Sequence, residues 1–279
     1  MGGPRNPGCP IRAARSAVFA FGGVAAWLAL IKFRYHVTFV TVICGALLFA
    51  PHIDARLALR LLLVYACFNV LLYGGIYTWN DIADRAADAR HPRKRRRPIA
   101  AGTVSVGGAA IYATALIVAA LTLAMLLFSR TVVACFLVTL VFNGFYSAYG
   151  RNLRYLDVVL NSVTHPTRFL VGTLLVERTP PLTHLAALLL LAVALSCLRR
   201  DVERNDPGWE ARETLRLYSP RDMPCMAAVS LLMLAALAAA CWPEAPGFYS
   251  IVVVTAAIAA VGGWIDAPVR WSLRRVWTH

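Results

Sequence analysis

A chain of 279 residues that is 59% hydrophobic and only 15% charged carries more apolar surface than a soluble domain of its size can hide. Its net charge of +14 would suit nucleic acid, but the cations lie in a few loops between apolar runs, the pattern of membrane topology. These numbers exclude a soluble enzyme and a nucleic-acid binder, and they predict a polytopic membrane protein.

The chain opens with Arg5, Arg12 and Arg15, then the apolar stretch SAVFAFGGVAAWLALI at residues 16–31. Lys32, Phe33 and Arg34 follow where a signal peptide would carry small residues, so the stretch reads as an uncleaved segment on or in the membrane. Residues 1–32 form this N-terminal basic and apolar segment, and 33–279 the main transmembrane domain. Apolar spans are expected near 37–53, 57–79, 104–128, 131–149, 155–176, 182–198, 223–242 and 247–265. Long apolar runs in lipid must pair their backbone groups internally, so the fold class is all-α, a bundle of about 8–9 transmembrane helices. His36 reads as an interfacial anchor. Gly74-Gly75 and Gly107-Gly108 read as sites of close helix packing. The seven cysteines form no CxxC pair and read as small buried hydrophobes.

The loops alternate in character. Those at 80–103, 150–155 and 199–222 are basic, while 129–130, 177–182 and 243–246 carry few cations. Positive charge marks the cytoplasmic side, so the basic loops are expected to face the cytoplasm together as a shared cap. Arg56 and Arg60 run against this rule.

The stretch WNDIADRAADARHPRKRRRPIAAG at 79–102 joins carboxylates to cations at the mouth of an apolar run. On a continuing helix, Asp81, Asp84 and Asp88 share one face. One reading is a solvated helix end whose acids pair with arginines. The other is a Mg²⁺ site in which Asn80, Asp81, Asp84 and Asp88 bridge the metal to a diphosphate and nearby cations bind the remaining oxygens. The second is favoured, because with Asp201, Glu203 and Asp206 these acids make up six of the fourteen in the chain, and all flank apolar runs.

The stretch resembles the first aspartate-rich motif of the UbiA-type prenyltransferase superfamily, N-D-x-x-D-x-x-x-D. Its continuation from His91 to Gly102, H-P-x-K-x-x-R-P-I-A-A-G, is similar to one branch, the polyprenyl-phosphate (decaprenyl-phosphate) 5-phosphoribosyltransferases. Tyr146, Ser147, Asp157, Arg168 and Gly172 occupy matching places further on. Arg151 stands where the branch usually has Lys, and Gly150 where it has Leu. Arg199, Arg200 and Glu203 match a K-R-x-x-E segment, and Arg212, Leu215, Tyr218 and Ser219 match R-x-x-L-x-x-Y-[ST]. Asp201 and Asp206 only partly imitate the second aspartate motif of enzymes that use isoprenoid diphosphates. The last 55 residues look generic, and the ending DAPVRWSLRRVWTH departs from the family's.

The resemblance implies an integral membrane transferase that moves 5-phosphoribose from 5-phosphoribosyl 1-diphosphate to a polyprenyl phosphate. The product would be the precursor of a lipid-linked arabinose donor for exported glycans, in the cell envelope or on nodulation signals. Asp81, Asp84, Asp88 and Asn80 are the implied catalytic and Mg²⁺ residues. Lys94, Arg97, Tyr146, Arg151, Asp157, Arg168, Arg199, Arg200 and Glu203 are the implied substrate-binding ones. The expected location is the bacterial inner membrane, with the site facing the cytoplasm; nothing in the pattern opposes a homo-oligomer. The alternatives are a transferase with an isoprenyl diphosphate donor and a membrane transporter or carrier without chemistry. The basic character of 199–206 separates the first, and the position of the acids at a helix mouth, away from the bilayer midplane, separates the second.

Overall fold

The computed structural model describes residues 23–204 and 213–261, and within them every regular element is helical. The elements are α1 (Val24–Ile31), α2 (Val40–Phe49), α3 (Ala55–Val64), α4 (Tyr73–Arg90), α5 (Val106–Leu127), α6 (Arg130–Ala148), α7 (Leu156–Leu175), α8 (Leu182–Arg204), α9 (Glu213–Arg216), α10 (Asp222–Cys241) and α11 (Pro246–Ala260).

Six stretches are long and apolar enough to cross a membrane: Val24–Phe49, Ala55–Arg90, Val106–Leu127, Arg130–Ala148, Leu182–Arg204 and Asp222–Glu244. The two segments expected at 16–31 and 37–53 therefore merge into one run from Val24, joined at Lys32 (φ 57°) and a 3₁₀ stretch over Phe33–Phe39. α7 has 20 residues, but Asp157, Asn161, His165 and Arg168 make it less apolar than those six. α11 has 15 residues. Residues 16–22 and 262–265 of the expected spans lie outside the described residues.

α3 and α4 belong to one 36-residue helix, Ala55–Arg90, through a wider π-type turn at Tyr65–Leu72. Asp54 starts it by accepting a hydrogen bond from the Leu57 amide at 2.8 Å, so one unpaired helix-end donor is satisfied. At ~1.5 Å per residue the helix is ~54 Å long, well beyond a ~30 Å hydrocarbon core. Its last turns therefore carry the aspartates past the apolar part of the bundle. Ser105 caps α5 in the same way, accepting from Gly108 N at 3.1 Å.

Glycines decide how closely the helices approach. A Cβ on Gly172 of α7 would collide with the Val42 carbonyl of α2, and one on Gly45 with the Phe169 carbonyl. Gly75 of α4 leaves the same kind of gap for α5, where a Cβ would lie 2.7 Å from Ala113 O. Small residues at such crossings allow the backbone contact that drives helix association in lipid. Gly107 departs from the expectation: nothing lies within 4 Å of its Cβ position, and only Gly108 touches a neighbour, Trp27.

One core cluster joins α2, α3, α4, α5, α6 and α7 around Phe68, Phe136 and Leu72; a second joins α7, α8, α10 and α11 around Phe169, Leu234 and Tyr249. α1 is part of the bundle as well, with Leu30 packed among Ile99, Val104 and Ala109. His36 is not an interfacial anchor, since it is buried and bonds the Tyr65 hydroxyl at 2.9 Å. Cys67, Cys135 and Cys197 are buried as expected, while Cys225 is exposed.

Candidate active site

The three basic loops converge. Arg97, Asn152, Arg199 and Leu215 line one cavity of about 430 Å³ at a single end of the bundle. α4 supplies one wall, α6 and α7 a second, and α8 a third.

α4 continues as a helix through Arg90, so its acids keep helical spacing. Asn80, Asp84 and Asp88 line the cavity. Asp81 does not line it; it is 3% exposed and held from two sides. Lys32 Nζ donates to Asp81 Oδ1 at 2.6 Å, and Arg97 Nη1 donates to the same oxygen at 3.1 Å. Arg97 Nη1 also donates to Asp88 Oδ2 at 2.8 Å. Burial opposes the charge on Arg97, but the Asp81 and Asp88 carboxylates outweigh it and raise its pKa above the ordinary arginine value. Both readings of the aspartate stretch thus find a counterpart: Asp81 and Asp88 pair with cations, and Asp84 and Asp88 line the cavity. Ser147 of α6 donates to Asn80 Oδ1.

The chain turns back after α4 through the HPRKRRRPIAAG segment. Gly102 closes it at φ 76°, a conformation open to glycine at no steric cost. The turn brings Lys94 and Arg97 onto the same cavity as Asp84 and Asp88. Arg95 and Arg96 stay exposed.

α7 and α8 carry the opposite charges. Asp157 is fully buried and outside the cavity lining. Its Oδ2 accepts from Arg200 Nε at 2.8 Å, and its Oδ1 accepts from the Tyr218 hydroxyl. Arg200 Nη1 donates to Glu203 Oε2 at 2.7 Å, and Nη2 to the Tyr146 hydroxyl at 3.1 Å. Arg199 Nε donates to Glu203 Oε1 at 3.1 Å. Asp157, expected to bind substrate, therefore pairs with Arg200 and Tyr218.

Arg168 lies on the cavity with its guanidinium 4.1 Å from the Tyr73 ring centroid, a cation–π contact. It is 3% exposed, and its Nε has no hydrogen-bond partner among the described residues. A buried guanidinium with an unmet donor is costly in a bundle of this kind, and an anion in the cavity would satisfy it.

Of the candidate residues, Asn80, Asp84, Asp88, Lys94, Arg97, Tyr146, Arg168, Arg199, Arg200 and Glu203 meet on one cavity, while Asp81 and Asp157 stand behind its wall. The side chain of Arg151 lies outside the described residues, as do Asp206 and Arg212. The sequence reading missed Lys32, Tyr35 and Tyr77 on the lining, and His165, which precedes Pro166 and read equally as a kink or a catalytic residue, lies there too. A usable signal existed for Lys32, a cation interrupting an apolar run. The tyrosines gave none, because aromatic residues in apolar helices read equally well as core.

Among the described residues no three His, Cys, Asp or Glu side chains converge into a complete metal cage. Mg²⁺ does not need one; it keeps waters and takes one or two carboxylates together with substrate phosphates. The oxygen donors of Asn80, Asp84 and Asp88 on one cavity fit that mode.

Apolar helices of this length, with acids and cations gathered over one end, define a multi-pass membrane protein with a polar cavity at the mouth of its bundle. The chain belongs to the UbiA prenyltransferase family, which matches residues 38–272. It is 30% identical to the decaprenyl-phosphate phosphoribosyltransferase of Corynebacterium glutamicum over 183 residues, 62% of this chain and 55% of that one. It is 29% identical to the nodulation protein NoeC of Azorhizobium caulinodans over 126 residues, 45% of this chain and 41% of that one. The chain thus spans about half the length of the curated relatives it matches. Its fold is that of a UbiA homolog from Archaeoglobus fulgidus bound to GPP and Mg²⁺, with a TM-score of 0.75 over 91% of this chain and 95% of that one, at 16% identity.

Proposed function

We propose that the protein transfers 5-phosphoribose from 5-phosphoribosyl 1-diphosphate to a polyprenyl phosphate, releasing diphosphate. The observation that carries this reading is the makeup of the α8 wall. An enzyme that clamps an isoprenyl diphosphate between two metal-binding aspartate sets needs acids on both sides of the cavity. Here the α8 side presents two adjacent guanidinium groups, Arg199 and Arg200, bridged by Glu203, and among the described residues no second spaced-aspartate set lines it. A donor with phosphates at both ends of a sugar and an acceptor that is itself a phosphate call for cations on that side. The 30% identity to a decaprenyl-phosphate phosphoribosyltransferase supports the same reading.

In this scheme Lys94, Arg97, Arg168 and Arg199, which all line the cavity, take phosphate oxygens. Asn80, Asp84 and Asp88 would hold Mg²⁺, and when bound the metal supplies positive charge to the leaving diphosphate. Asp81 keeps Lys32 and Arg97 aimed at the same place. The bond from ribose C1 to the diphosphate oxygen breaks as a lipid phosphate oxygen bonds to C1. The fixed carboxylates stabilise the positive charge that develops on the ring. The acceptor phosphate is already ionised at neutral pH, so the site needs no strong general base. The apolar helices beside the cavity offer the lipid tail a place in the bilayer. We place the site on the cytoplasmic face of the inner membrane, from the positive charge of the three converging loops. The product fits the precursor of a lipid-linked arabinose donor for exported glycans.

The test is a membrane-fraction assay with labelled 5-phosphoribosyl 1-diphosphate, polyprenyl phosphate and Mg²⁺. Label entering the lipid phase, lost with EDTA and in Asp84→Asn, is the expected result. Transfer from an isoprenyl diphosphate, with no phosphoribosyl transfer, would overturn the donor assignment and keep the family's commoner chemistry. No transfer from either donor would favour a carrier without chemistry.

A further inference from the structure

Arg199 and Arg200 are neighbours on one helix, so their side chains leave it about 100° apart and only one can point straight at the cavity. Their burial differs accordingly. The Arg199 side chain is 33% exposed on the cavity lining, and that of Arg200 is 4% exposed. Glu203 lies three and four residues further on and divides its carboxylate between them, Oε1 to Arg199 and Oε2 to Arg200. Arg200 is then fixed on its other edges by Asp157 of α7 and Tyr146 of α6.

Tyr218 closes this chain from outside the bundle. Its hydroxyl donates to Asp157 Oδ1 and accepts from the Tyr155 amide at 2.6 Å. It is 3% exposed, and burial together with the bond to Asp157 raises its pKa, so it stays a donor well above neutral pH. The Tyr155 ring packs edge-on against Tyr218 at 5.6 Å, and Arg154 pairs with Asp222 at 2.6 Å beside them. The two arginines and two carboxylates of the network sum to zero charge. Long-range attraction from the set is therefore small, and what it offers an anion is orientation of the outermost guanidinium.

We propose that Tyr218 is a positioning residue that acts through Asp157, Arg200 and Glu203 to set the guanidinium of Arg199 for an anionic phosphate group. Arg199 touches the ligand, and Arg200 is the pin behind it. The proposal deepens the function proposed above and rests only on its anion-binding part.

The experiment is calorimetric titration of inorganic diphosphate with Mg²⁺ into the full-length protein in nanodiscs, for wild type, Tyr218→Phe, Arg199→Gln and the double variant. Arg199→Gln should weaken binding by about 50-fold and Tyr218→Phe by about fivefold. The double variant should bind like Arg199→Gln alone, because Tyr218 acts through Arg199. Tyr146→Phe, which removes the other hydroxyl that holds Arg200 at no change in charge, should weaken binding in the same direction and likewise only through Arg199, even if Tyr218→Phe folds poorly. A Tyr218→Phe effect that persists undiminished in the Arg199→Gln background would mark a merely structural role and overturn the proposal. Unchanged diphosphate binding in Tyr218→Phe and Tyr146→Phe, or no binding by wild type, would overturn it too. Diphosphate binding with the expected coupling, in a protein that transfers no phosphoribose, would keep the positioning role and remove the proposed reaction.

Discussion

Arg168 and Asp81 show how differently two charged side chains can be placed in one site. Arg168 is buried on the Tyr73 ring, and its Nε donor has no hydrogen-bond partner among the described residues, so its burial costs more than that of a fully bonded guanidinium. Arg168→Met should therefore leave thermal stability in detergent unchanged or slightly raised while donor KM rises by about 10- to 100-fold. A loss of several degrees in the melting temperature would show that Arg168 is structural. Asp81 is the reverse case. It neutralises Lys32, whose side chain is 11% exposed, and shares Arg97 with Asp88. Asp81→Asn should destabilise the protein by about 2–4 kcal/mol, because it leaves a nearly buried ammonium without its carboxylate. Differential scanning fluorimetry beside Asp84→Asn makes the comparison, with Asp84→Asn expected to lose transfer and keep its melting temperature.

At the scale of the helices, the crossing of α2 and α7 depends on two missing side chains. A methyl group at Gly172 meets a backbone carbonyl, which cannot rotate away as a side chain can. Gly172→Ala should cost about 1–3 kcal/mol or more and lower the yield of folded protein. Gly107→Ala, with open space around it near the start of α5, should be neutral or stabilising by about 0.4–1 kcal/mol. Thermal melts of the two variants in the same detergent decide between packing and mere helix propensity as the role of these glycines. Pro166 belongs to the same scale: α7 continues past it to Leu175, so the proline does not end the helix that carries Arg168.

For the whole molecule, the cavity joins residues that lie more than a hundred positions apart, from Lys32 to Leu215. A ligand that bridges these walls should stabilise the bundle as a unit. Inorganic diphosphate with Mg²⁺ at about 100 times its Kd should contribute about 2.7 kcal/mol, read as a rise in melting temperature that EDTA abolishes. A rise that survives EDTA would place the anion on the arginines without a metal.

Much of this was legible before the fold. Apolar runs in lipid have only the helix available to them, so the all-α class followed from composition and run length. The spacing of Asp81, Asp84 and Asp88 put them on one helix, and the family resemblance rested on motifs that lie along single helices or turns. The convergence of the three basic loops was expected from charge alternation, and they do line one cavity. What the sequence could not decide was direction. Helical period cannot say which neighbour a given face meets, so Asp81 turned to Lys32 and Arg97, and Asp157 to Arg200 and Tyr218. Nor could it show that residues 24–49 run together as one stretch long and apolar enough to cross a membrane, because Lys32, whose ammonium donates to Asp81, interrupts the apolar run. Local physics determined the helices and the kinds of charge they carry; only the packing of helices distant in sequence decided which charges are spent on one another and which face the cavity.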